Sequence, residues 1–431
     1  MRRLRLLFVD PSSGGRLLGI QGVRALAAGS ILLFHVWVFA APDGEAFDLG
    51  PVSRYLFPHL PLGVTLLFLL SGFLLYRPFA AAVIREREIP SLTAYLRNRA
   101  LRILPAYWVI LLFTGLVLQT THVREPSGML GVGALDDPLL LLINVAFVQN
   151  FLPTTLLTGV GPAWALAAVV VFYLVLPLLV LVAASIAKRA TTRAGRTWAA
   201  LAPALLLAAV GLSGRAVAVF ILPGGAWSAD WHSVIERSFW AHADFFAVGL
   251  ALAVVRVESE LGRLRLPSWW RWAAVGAMLL IALPTAKFTT AEGSADGSLS
   301  NHAYDVLMAL VCGLFLALVV LPAKGAPSIL VRTLEAPVIA GIGVVSYSLF
   351  LWHVPLVFWL RNHGLTLGGA TGFEVDAVLV VAIAIALSAL TYRFLEYPAL
   401  RHKASTRPGH RVDTAVAQAS PRPEPQRGHF G

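Results

Sequence analysis

Charge is the scarcest ingredient of this 431-residue chain: 13% of its residues are Asp, Glu, Lys or Arg, about half the roughly 25% of a soluble domain. With 58% apolar residues and a mean hydropathy of +0.75, that scarcity excludes both a water-soluble globule and a chain disordered over most of its length. Cysteine is almost missing. Cys312 alone permits no internal disulfide and argues against Cys-ligated metal or iron–sulfur sites, so no metal site is expected. Also absent are GxSxG, HExxH, GxxxxGK[ST], GxGxxG and a His-four-Asp acyltransferase signature. Serine-hydrolase, zincin and ATPase readings lose their support.

What the chain does have is long apolar runs. Ten are candidates to cross a bilayer, since about 20 apolar residues form the crossing unit: Leu17 to Ala40, Leu60 to Tyr76, Leu104 to Leu118, Ala163 to Ile186, Trp198 to Leu212, Trp240 to Val255, Trp272 to Leu283, Tyr304 to Leu321, Val338 to Leu360 and Val375 to Phe394. Leu139 to Leu152 is apolar too. Its Asn144, Gln149 and Asn150, between Pro138 and Pro153, mark it as re-entrant or interfacial. The expected fold is all-α and polytopic, with about ten transmembrane helices.

The basic excess, net charge +11, sorts by loop. Of 34 Lys and Arg, 27 fall on one alternating set of loops and six (Arg54, Arg124, Arg215, Arg237, Lys287, Arg361) on the other. The positive-inside rule then puts both termini in the cytoplasm and reads the charge as topology, with no nucleic-acid partner. The expected organisation is a basic N-terminus over 1–16, a membrane domain over 17–401 and a disordered cytoplasmic tail over 402–431, rich in Pro, Arg, Ser and His. Thirty Arg against four Lys suggest a GC-rich bacterial genome.

The one basic residue left over, Arg24, lies within the first span, where ionisable groups are costly enough to mark function. His35 follows eleven residues later. At 100° per residue the two share a helix face, about 16 Å apart. The competing reading is a snorkelling Arg and a packing His. At similar depth stand His242 and Asp244 in "FWAHADFFAVG" and His353 in "SYSLFLWHVPL", giving a candidate site with two or three His and an Asp. Toward the other face, Arg99 and Arg102 lie three residues apart on one helix face and are candidates to grip a phosphate, against the plainer reading of positive-inside flanks. Ser71 and Gly72 sit mid-membrane, where a small pair commonly allows close packing.

These residues resemble the bacterial integral-membrane acyltransferase 3 family over about residues 17 to 401. The likeness is carried by "GIQGVRALAAGSILLFH", "LLFLLSGFLL", "RNRALRILPAYWV", "FYLVLPLL", "VSYSLFLWHVPL" and "YRFLEYPALR", in the family's order. It implies transfer of an acyl group, often acetyl, from acyl-CoA as co-substrate, with no bound cofactor. The acceptor would be a hydroxyl on a carbohydrate, lipid-linked sugar, glycolipid or secondary metabolite. His35 is implied as catalytic and Arg24 as functional, with Arg99 and Arg102 toward the donor and Ser71, Tyr173, His242 and His353 supporting. Membrane lipids and a separate extracytoplasmic acyl-accepting protein are the remaining expected partners.

One position departs from the pattern. In "WALAAVVVFY" the family's Glu is Val169, and Asp244 is the expected substitute by depth. Two other readings stand beside the acyltransferase: a secondary transporter or exporter, against which no internal repeat of the Arg/His span is seen, and a catalytically silent paralogue.

Overall fold

The computed structural model describes residues 17–41, 48–125, 128–222, 224, 228–285, 299–322 and 326–403. Ten helices organise it: α1 Ile20–Phe39, α2 Leu62–Ile84, α3 Leu92–Leu112, α4 Ala163–Arg189, α5 Arg193–Phe220, α6 Phe239–Glu260, α7 Trp270–Thr285, α8 Leu299–Val320, α9 Pro337–Asn362 and α10 Gly369–Thr391. Among the described residues, nine helices are long and apolar enough to cross a membrane. The tenth, α7, has 16 residues. The chain is an all-α polytopic membrane protein. The basic N-terminus over 1–16, and the expected tail beyond residue 403, lie outside the described residues.

Several spans run longer than expected, for one reason. α3 begins at Leu92 rather than near Leu104, and α2 runs past Tyr76 to Ile84. Apolar runs end at the first charge, whereas a helix continues until its cap, here the Ser91 hydroxyl accepting from the Ala94 N–H at 3.2 Å. Residues 138–151 form a short helix, Pro138–Val145, capped by Asp137, and a single turn at Gln149–Phe151; they make no span. An unforeseen element joins them: β1 Thr121–Arg124 pairs antiparallel with β2 Leu130–Gly133, His122 opposite Val132. It is the only sheet among the described residues.

Small residues set the helix contacts. A Cβ on Gly72 would strike the Phe246 carbonyl of α6, and one on Gly249 the Leu69 carbonyl of α2, so these two helices touch backbone to backbone. Gly211 does the same for α5 against Asp244, and Gly63 for α2 against Ala27 of α1. On α9, Gly343 abuts the Gln21 carbonyl, and further along Phe358 meets Phe39, so α1 and α9 run parallel. Large apolar side chains instead cover the outside, such as Leu174 and Leu178 on α4 and Val378 and Phe394 near the C-terminal end of the fold. That surface suits hydrocarbon and no aqueous solvent.

The two ends of the bundle differ in character. At one, Glu260 binds Arg77, Arg85 and Arg256 at 2.7–3.1 Å, and Arg196 pairs with Glu86 at 2.9 Å. The other gathers the ends of α1 and α9 under the hairpin and the segment that follows it, tied by reciprocal 2.8 Å hydrogen bonds between the His122 and Gly159 backbones.

Candidate active site

Because α1 is unbroken from Ile20 to Phe39, Arg24 and His35 hold the phase that eleven residues impose, about 16 Å apart on one face. His35 is half-buried near the hairpin end. Its Nδ1 lies 2.9 Å from the Ile31 carbonyl and 3.1 Å from Nε2 of His353, brought alongside by α9. His353 is buried, and its own Nδ1 lies 3.2 Å from the Leu349 carbonyl.

These three contacts fix the protons. A neutral imidazole has one N–H and one lone pair, and a carbonyl only accepts. His353 therefore donates from Nδ1 to Leu349, leaving its Nε2 as an acceptor. His35 donates from Nδ1, shared between Ile31 and His353. The lone pair of His35 stays on Nε2. The opposite tautomers would set lone pairs against both carbonyls.

Aromatic rings wall this pair. Phe39 stacks on His35 at 5.6 Å between ring centres and also meets Phe358 at 5.1 Å and His122 at 6.2 Å. His122 packs edge-on to Phe358 at 5.0 Å. Arg361, at the end of α9, lies over the Phe358 ring at 5.3 Å and reaches the Phe39 carbonyl at 3.4 Å. Burial pushes the His122 imidazole down to about 4, against a smaller opposite pull from the Gly131 carbonyl; His35, Arg124 and Arg361 press the same way as burial. Sequence reasoning passed over His122 and counted Arg361 only as a flanking charge. A His in a loop of "TTHVRE" with no motif around it carried no spacing signal.

The remaining expected residues divide. Asp244, the expected substitute for the family carboxylate, is engaged with Arg215. Its Oδ2 accepts from Arg215 Nε at 3.0 Å, and Arg215 also pairs with Asp305 at 2.9 Å and stacks on Phe245 at 4.8 Å. His242 sits among Phe68, Trp164 and Phe245, with Nδ1 on the Ser238 carbonyl at 3.0 Å. Val169 packs with the apolar core, so no carboxylate enters from α4 there. Ser71 returns its hydroxyl to the Leu67 carbonyl at 2.8 Å, which fits the close-packing reading.

Toward the other end, Arg102 forms an ion pair at 2.9 Å with the buried carboxylate of Glu396, which also accepts from Ser348 at 2.5 Å. A phosphate would have to compete with Glu396 for it. Arg99 is half-buried on the same helix, with an Nε that makes no hydrogen bond, and Tyr173 on α4 packs against the apolar core.

A polytopic helical bundle that sets one imidazole against another where two parallel helices meet defines the class: a multi-pass membrane protein with a closely set histidine pair. Residues 17–393 match the family described as Acyltransferase domain, and the chain belongs to that family. It is similar to a Bacillus subtilis protein named "Putative peptidoglycan O-acetyltransferase YrhL", 24% identical over 387 residues, which cover 88% of this chain and 54% of that protein. The chain thus spans about half the length of that relative. No solved structure matches it.

Proposed function

We propose that the chain is an O-acyltransferase of the bacterial inner membrane, moving an acyl group, acetyl foremost, from acyl-CoA to a hydroxyl of a saccharide. The observation that carries this is the His353–His35 alignment, which leaves the His35 Nε2 lone pair free. An acceptor hydroxyl gives its proton to that nitrogen as its oxygen attacks the thioester carbonyl. The carbon–sulfur bond breaks, and the imidazolium returns the proton to the departing sulfur. The products are an ester and free CoA thiol. Base catalysis of this kind contributes about 10²- to 10⁴-fold.

Distance apportions the other roles. At about 16 Å along α1, Arg24 is too remote to touch an oxyanion formed at His35, and its cation is assigned to the phosphates of the donor. Arg99, on α3, is assigned to the donor as well. Arg102, neutralised by Glu396, holds the α3–α9 contact instead, stacked at 5.8 Å on Tyr347. The saccharide acceptor is favoured by the similarity to a protein named for peptidoglycan O-acetylation.

Purified protein given radiolabelled acetyl-CoA and soluble peptidoglycan fragments tests the reading. His35→Ala is expected to lower transfer at least about 100-fold with folding retained. Transfer that survives the substitution overturns the assignment.

A further inference from the structure

We infer that His122 is a binding residue for the acceptor, holding a second polar group of a polyhydroxylated molecule while His35 addresses the hydroxyl to be acylated. This rests on the proposed transfer reading of the His35 centre. Four observations carry it, none of them a motif.

His122 is 9% exposed, and although the Gly131 carbonyl pulls on its ring, its Nδ1 completes no well-formed hydrogen bond. Folded proteins seldom leave a buried polar atom without a full hydrogen bond, so the ring favours a ligand group that completes it. Its place is the second observation. The Phe39 ring touches both His35 and His122, so the two imidazoles flank one half-buried aromatic face.

The third is that room is kept for the ring. A Cβ on Gly161 would lie 2.5 Å from Cδ2 and 2.8 Å from Nε2 of His122, so only glycine there leaves the imidazole where it is. The fourth is the anchoring. The His122 backbone is pinned on both sides, by β2 and by the Gly159 bridge, so the side chain is held by scaffold rather than by a free loop.

Chemistry selects the ligand. An uncharged imidazole among phenylalanines matches a neutral hydroxyl or amide, and the Phe39 face matches the C–H face of a sugar ring. A CoA phosphate would gain little from it. Arg361 beside Phe358 adds a cation at the rim for an acidic substituent on the sugar.

The test measures equilibrium binding of a labelled peptidoglycan disaccharide to the full chain in detergent, without acyl donor, for wild type, His122→Ala, His122→Gln and Gly161→Ala. His122→Ala is expected to weaken binding about tenfold, the worth of one lost hydrogen bond. His122→Gln, which keeps a donor and an acceptor, should recover part of it, and Gly161→Ala should mimic the loss. Melting temperatures and gel-filtration profiles identify variants that misfold, for which the His122→Gln comparison decides. In turnover assays the His122→Ala defect should fall on the acceptor KM more than on kcat. Equal binding by wild type and His122→Ala, or no disaccharide binding by either, overturns the inference. Wild type that binds through His122 yet turns over no acyl-CoA overturns the transfer reading and leaves this one standing.

Discussion

His353 decides which nitrogen of His35 is free, and its replacement separates orientation from binding. His353→Ala should lower kcat on the order of 100-fold with little change in either KM, because His35 loses the acceptor that fixes its tautomer. Glutamine reaches the same point with an oxygen, so His353→Gln should recover part of the rate; steady-state kinetics on the purified variants checks both. Asp244 belongs to a different account. Asp244→Asn strips one of two carboxylates from buried Arg215, and the expected result is a lower melting temperature and folded yield, a cost of up to about 3–5 kcal/mol, and no selective loss of turnover in the folded fraction. Arg24 and His35 were legible as a pair because a helix fixes phase by counting. Asp244 was placed by depth, which gives height in a bundle and says nothing of which way a helix face turns. His353 stood among the candidates, but its tie to His35 lies in the packing of two helices far apart in sequence, and His122 needed the fold of a hairpin.

At the level of elements, the contact between α1 and α9 governs the centre. Gly343 lies against the Gln21 carbonyl, a backbone atom that cannot swing away. Gly343→Ala should push the helices apart and lower kcat by up to about 100-fold, since a displacement near 1 Å at a reacting group costs that much. The accompanying loss of stability should be about 1–3 kcal/mol. Comparing kcat with the melting temperature tests the split. The long spans were readable from hydropathy alone. β1 and β2 were not, because four-residue strands ending in a Gly-bearing turn give too few alternations to stand out from an irregular loop.

For the whole molecule, the arginine census predicts which end faces which compartment. With Cys312, buried in α8, replaced by Ala, a cysteine placed at Gly262 should react with a membrane-impermeant maleimide only after the cells are opened, whereas one at Glu125 should react in intact spheroplasts. The reverse pattern would invert the orientation. On the proposed orientation, the Glu260 end would receive the acyl donor and the hairpin end would meet the acceptor.

The parallel setting of α1 and α9 has a consequence for the lipid around the protein. The two imidazoles sit on separate helices, each bonded to its own backbone, and their 3.1 Å contact depends on how far one helix is offset along the other. A bilayer thinner or thicker than the apolar spans changes helix tilt to relieve the mismatch. If the pair acts as proposed, turnover is expected to vary with membrane thickness, highest where the hydrocarbon depth lets the paired helices stand in register.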